Sequence, residues 1–135
     1  MKKFTLIILS IFCVVSLYGQ KKKKHHPNQI KSITVLNENT DNAKTPAIKE
    51  SYTRYDELGN VLEEIEYDAK GVEKKHIIYE YNDDGEKVKE TYLNQNGSKD
   101  KIIEFKYEDG LKTEKITYEG NGKIKSKKKY IYEYQ

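Results

Sequence analysis

Glycines beat time along the chain from residue 59 onward. Gly59, Gly71, Gly85, Gly97, Gly110 and Gly122 stand 12, 14, 12, 13 and 12 residues apart. A helix would be interrupted at each of them, at about 1 kcal/mol per glycine relative to alanine, so long helices do not fit. A short strand, a tight turn and another short strand do. Four of the turns share a grammar: an aromatic residue or leucine, then Asp or Asn, two variable residues, and glycine. It is written at Tyr55-Asp56 with Gly59, Tyr67-Asp68 with Gly71, Tyr81-Asn82 with Gly85, and Leu93-Asn94 with Gly97. The Asx side chain can bond the backbone two residues on. Glycine then supplies the left-handed residue that closes a type I turn with a bulge. The last two turns depart, with Glu108 and Glu119 in the Asx place and the Gly110 turn one residue shorter.

Between turns, apolar residues sit two apart: Ile65 with Tyr67, Ile77 with Tyr79 and Tyr81, Ile103 with Phe105 and Tyr107, and Tyr130 with Tyr132 and Tyr134. Lysine and glutamate fill most alternate places. Period two of this kind predicts strands with one apolar, aromatic face and one charged face. Leu62, Ile78, Ile102 and Ile131 fall on the other parity. Either bulges shift the register or the second face is partly covered.

The expectation is an all-β fold, an antiparallel meander of about eight strands built from repeated β-hairpins into a strongly twisted or curled sheet. The strands are placed near 30–36, 48–56, 60–67, 75–81, 86–93, 99–107, 111–118 and 123–134. An open sheet and a closed barrel both satisfy the pattern. Three repeat units, 55–80, 81–106 and 107–133, occupy most of a domain spanning 30–135. Residues 37–47 form a polar loop containing Pro46. The final strand carries Lys123, Lys125, Lys127, Lys128 and Lys129, a composition that blocks pairing with a second molecule at a sheet edge.

The first 19 residues read as a signal peptide: Lys2 and Lys3, an apolar run from Leu6 to Leu17, and a cut expected after Gly19. That run is too short for the roughly 20 residues that cross a bilayer. Export places the protein in the periplasm, on the cell surface or outside the cell. Cleavage removes Cys13, so the mature chain has no disulfide, thiolate chemistry or cysteine-held zinc. It also leaves 23 of the 25 basic residues against 22 acidic ones, near +1, a balance that gives no reason to expect a nucleic-acid partner. Residues 20–29 form a basic polar linker with His25 and His26. Adjacent histidines without an acidic neighbour lack the spacing of a metal site.

The aromatic–Asx–x–x–Gly turns and the Tyr-Glu-Tyr strand resemble the YD-repeat (Rhs-type) family of bacterial exported and surface proteins. Tyr55-Asp56-Glu57-Leu58-Gly59-Asn60 and Tyr79-Glu80-Tyr81-Asn82-Asp83-Asp84-Gly85 carry the resemblance, which extends over residues 51–134. It implies β-strand repeats and lends support to sugar binding. The MORN-type repeats also build hairpins from tyrosine and glycine, but the glycine beside their central tyrosine is missing here.

Catalytic parts do not assemble in the sequence. Ser32, Ser51, Ser98 and Ser126 stand in no Gly-x-Ser-x-Gly context. His76, beside Lys75, reads as an exposed strand residue, and the carboxylates read as solvated. No cofactor is implied. The chain is therefore expected to be a non-catalytic binding module of the bacterial envelope. Its expected ligand is a glycan or envelope component, held by Tyr79, Tyr81, Phe105, Tyr107, Tyr130, Tyr132 and Tyr134. The alternative is a structural or assembly component whose aromatic face is covered by a partner protein or a second copy.

Overall fold

The computed structural model describes residues 30–38 and 46–135. The signal-peptide, basic-linker and His25–His26 expectations, and most of the 37–47 loop, lie outside these residues. Eight strands follow in order: β1 (Ser32–Asn37), β2 (Ile48–Tyr55), β3 (Val61–Tyr67), β4 (Glu73–Tyr81), β5 (Lys87–Leu93), β6 (Lys99–Glu108), β7 (Leu111–Glu119) and β8 (Ile124–Lys129). They form one antiparallel sheet in sequence order, with β1 and β8 at its edges, and the sheet is not closed. Each strand touches only the strands before and after it. There is no helix among the described residues.

The four turns with an Asx residue take the geometry their sequence predicts, and the Gly122 turn takes it as well. In the first, Gly59 donates its N–H to the Asp56 carbonyl at 3.2 Å, and the Asp56 N–H returns to the Asn60 carbonyl at 2.9 Å. The same pair of bonds recurs at Gly71, Gly85, Gly97 and Gly122. Each of these glycines has φ between 78° and 87°, the left-handed region. The turn at Gly122 therefore conforms although Glu119 replaces the Asx residue. Asp56 Oδ1 accepts from the N–H of Leu58 and of Asn60, and Asp68 Oδ1 does the same for Lys70 and Val72. At Gly110 the loop is shorter because Asp109 (φ 50°) and Gly110 (φ 78°) are both left-handed. That is the type I′ signature of an Asp-Gly hairpin.

A second periodicity was not visible from the glycines alone. In every hairpin the outgoing strand carries one extra residue near the turn: Glu50, Leu62, Lys74, Val88, Asp100, Thr113 and Lys125. Each is a β-bulge, which bends the strand and increases its local twist.

Bulges account for Leu62, but Ile78 and Ile102 have another cause. They pair through Thr91, on the face that also holds Ile65 and Ile116. The opposite face holds Ile77, Ile103 and Phe105. All of these except Ile78 and Ile102 are buried, Ile77 most deeply at 3% exposure. The expectation of one apolar and one charged face is therefore corrected. A single-layer sheet meets water on both sides, so each face shelters its own isoleucines under the long stems of neighbouring lysines, glutamates and tyrosines. The last strand is also shorter than expected. β8 ends at Lys129, opposite Glu114, where the bulge at Thr113 in β7 interrupts the ladder.

Candidate functional site

Strand pairing carries most of the sequence-predicted aromatic residues onto one face. Tyr79 lies across from Glu90, which lies across from Ile103, so Phe105, two residues on, shares their side. Tyr81 and Tyr107 continue the same alternation along β4 and β6. Phe105 pairs with Lys115 and that with Lys128, which brings the chain towards Tyr130 on this side too. The Tyr130 N–H donates to the Thr113 carbonyl at 3.0 Å, extending contact with β7 past the end of β8.

Lysines cover these rings. Lys87 Nζ stands 5.0 Å from the Tyr79 ring centre and 5.8 Å from that of Phe105. Lys112 Nζ is 4.4 Å from Phe105, 5.9 Å from Tyr107 and 6.0 Å from Tyr130. Lys115 approaches Phe105 to 5.8 Å, and Lys101 lies 3.7 Å over Tyr92. Each is within the range where the negative face of an aromatic ring attracts a cation. Beneath them sits Glu90, a buried carboxylate that pairs with Lys87 and accepts the Tyr92 hydroxyl at 3.0 Å. Burial pushes its pKa up, but the bonds from Lys87 and Tyr92 outweigh this and hold it below the usual range.

The seven aromatic residues thus divide. Phe105 is buried, so its expected role as a ligand contact is corrected: it is the floor on which three lysines rest. Tyr79 is half-buried and donates its hydroxyl to Glu64 at 2.8 Å. Burial and that carboxylate raise its pKa strongly. Tyr81 and Tyr107 are also half-buried, with hydroxyls committed to backbone carbonyls. Tyr130, Tyr132 and Tyr134 are exposed, Tyr134 at 82%. The accessible part of the aromatic face is its C-terminal end, next to Lys112, Lys115 and Lys128, which form no ion pair among the described residues.

Sequence reasoning missed the lysines and Glu90, assigning them to a solvated face. The available signal was position: Lys87 and Lys112 stand directly across from Tyr81 and Tyr107, one residue before a bulge.

The other face is ionic around His76, whose side chain is only 17% exposed, not the exposed residue expected. Its Nε2 lies 2.9 Å from Glu63 and its Nδ1 3.6 Å from Glu73, while Arg54 Nε donates to Glu63 at 3.0 Å. A cleft of about 610 Å³ opens beside it, lined by Glu73, Lys75, His76, Tyr92, Gln95 and Asp100 among others. Among the described residues no cluster of three or more His, Cys, Asp or Glu is placed to hold a metal ion. Nor, among the described residues, is any helix long and apolar enough to cross a membrane, which says nothing of strands. No protein-family model matches the chain, and no curated protein matches it.

Proposed function

We propose that this is an exported, non-catalytic binding module of the bacterial envelope that takes an anionic glycan at the C-terminal end of its aromatic face. The observation that carries the reading is Lys112, unpaired and shared by the rings of Phe105, Tyr107 and Tyr130, beside the exposed Tyr130, Tyr132 and Tyr134. A sugar ring offers an apolar C–H face to a tyrosine. Its carboxylate or phosphate would pair with Lys112, Lys115 or Lys128. An acidic sugar uses both halves of the patch, whereas a neutral sugar would leave the lysines unanswered.

The bulge in every hairpin favours a strongly twisted sheet, which would curve this face around a chain-like ligand. The YD-repeat resemblance of the Tyr55–Gly59 and Tyr81–Gly85 turns agrees with a sugar-binding role at the cell surface. The rival reading, an assembly component with its aromatic face covered by a partner, has less to rest on. Phe105, at the centre of that face, is already covered by the chain's own lysines.

The test is an array that sets uronate and phosphorylated polysaccharides against neutral ones. Retention on the acidic set, lost on Lys112→Ala and on Tyr130→Ala, is the expected result. A flat array, or binding to neutral glycans that ignores Lys112, overturns the proposal.

A further inference from the structure

The two edges of the sheet are built differently. β8 presents Lys125, Lys127, Lys128 and Lys129. β1, Ser32-Ile33-Thr34-Val35-Leu36-Asn37, has no charge, no proline and no bulge of its own, and every residue in it is exposed. An edge of that kind is a template for a further strand, while lysines block one.

The register shows which backbone groups are free. Tyr55 donates its N–H to the Lys31 carbonyl, so Lys31 faces β2. In an antiparallel ladder both backbone groups of a residue point the same way and alternate along the strand. Lys31, Ile33 and Val35 therefore bond inward, and Ser32, Thr34 and Leu36 present their N–H and C=O groups away from β2, with no backbone partner among the described residues. That set is symmetric about Thr34.

We infer that two copies of this chain pair through β1, antiparallel, across a two-fold axis that passes beside Thr34 and stands perpendicular to the sheet. Thr34 faces Thr34 of the second copy, and Ser32 faces Leu36, each in a pair that exchanges two backbone hydrogen bonds. Ile33 faces Val35 on one side of the sheet, so the apolar side chains, 41% and 42% exposed in the single chain, meet each other. No like charges oppose one another anywhere along the six residues. Pairing β8 with itself would instead set lysine against lysine. One open edge and one blocked edge give a closed pair of sixteen strands rather than a filament. This inference does not depend on the glycan reading, since edge pairing leaves both faces of the sheet free.

The experiment is light scattering on the purified chain over a range of concentrations. The wild type is expected as a concentration-dependent dimer. Thr34→Lys and Thr34→Glu each place like charges on the axis and are expected as monomers, while an equimolar mixture of the two is expected to restore the dimer. Thr34 is exposed and its N–H is not used by β2, so circular dichroism of both variants should match the wild type. Hydrogen exchange on the wild type gives an independent readout: the amides of Ser32, Thr34 and Leu36 should slow as concentration rises. A wild type that stays monomeric with those amides exchanging freely overturns the inference and leaves the edge to a strand of another protein. A dimer that survives Thr34→Lys overturns it equally.

Discussion

The Tyr81 hydroxyl donates to the backbone carbonyl of Val61 at 3.0 Å, just beyond the point where pairing between β3 and β4 stops. Tyr107 does the same to Lys87 at 3.0 Å, and Tyr132 to Lys112 at 2.8 Å. In each case the last paired residue lies three positions before the tyrosine: Ile78, Glu104 and Lys129. The bulges at Leu62, Val88 and Thr113 end the ladder and deprive one carbonyl of a strand partner. A phenol from the next strand takes the place of the missing N–H. The most regular tyrosines of the repeat are thus bound to the backbone, and their spacing is a structural requirement.

Removing the hydroxyl alone should expose that role. Tyr81→Phe and Tyr107→Phe are expected to destabilise by about 0.5–1.5 kcal/mol each, the usual net worth of a protein hydrogen bond. Tyr132→Phe should fall at the low end because its ring is more exposed. Urea midpoints measure the series, with Tyr134→Phe, at 82% exposure, expected to change nothing.

Two glycines should fail for different reasons when changed to alanine. Gly85 has φ of 78° and open space around an added Cβ, so Gly85→Ala meets only the left-handed penalty of roughly 1–2 kcal/mol. Gly120 stands outside the twelve-residue beat, and a Cβ there would lie 1.9 Å from the Lys99 carbonyl oxygen. Gly120→Ala must push β6 and β7 apart and is expected to cost more. Thermal denaturation of the two variants should rank them in that order.

Acid should weaken the sheet through Glu63 and Glu90. For both, burial alone would raise the pKa, but bonds outweigh it: from His76 and Arg54 on Glu63, and from Lys87 and Tyr92 on Glu90. Folded values below the ordinary 4.5 mean that the stability they contribute is complete above that pH and drains away as pH falls through the folded values. Urea midpoints should be flat from neutrality down to about pH 5.5 and fall below about pH 4.5. Glu90→Gln should make the fall shallower.

Alkali acts through the phenols. Burial is the leading cause that raises the pKa of Tyr79, Tyr81, Tyr92 and Tyr107, joined at Tyr79 and Tyr92 by bonds to Glu64 and Glu90. Groups raised above their unfolded value of 10.0 stabilise the fold below that pH and lose the contribution as pH rises through the folded values. Absorbance titration of phenolate should therefore show an ordinary class and a delayed class that ionises together with loss of the sheet signal. In urea the two classes should merge.

Strand number, order and turn type were legible in the sequence because each is set locally. Glycine and Asx chemistry decides within five residues how the chain reverses, and short turns leave consecutive strands no choice but to pair. The Gly110 turn was an exception: its spacing set Glu108 in the Asx place, whereas the left-handed Asp109-Gly110 pair makes the reversal. Sidedness was not legible. A single sheet has no obligation to reserve one face for apolar groups, so Ile65 and Ile77 bury themselves on opposite sides. The lysine cover over Phe105 and Tyr79 was hidden for a related reason: Lys87, Lys112 and Lys115 have no aromatic next to them or two places away in the sequence, and they look solvated until strand pairing brings a ring beneath them.

Since each strand leans only on those next to it, the number of strands is not fixed by any closure or central core. Copying one unit of about twenty-six residues in frame would lengthen the molecule by two strands, or about 9.5 Å, without asking any existing residue to move. Deleting the 81–106 unit would shorten it by the same amount and join like to like. The molecule is in this sense a ruler, whose reach is written in how many times a short stretch of gene is repeated.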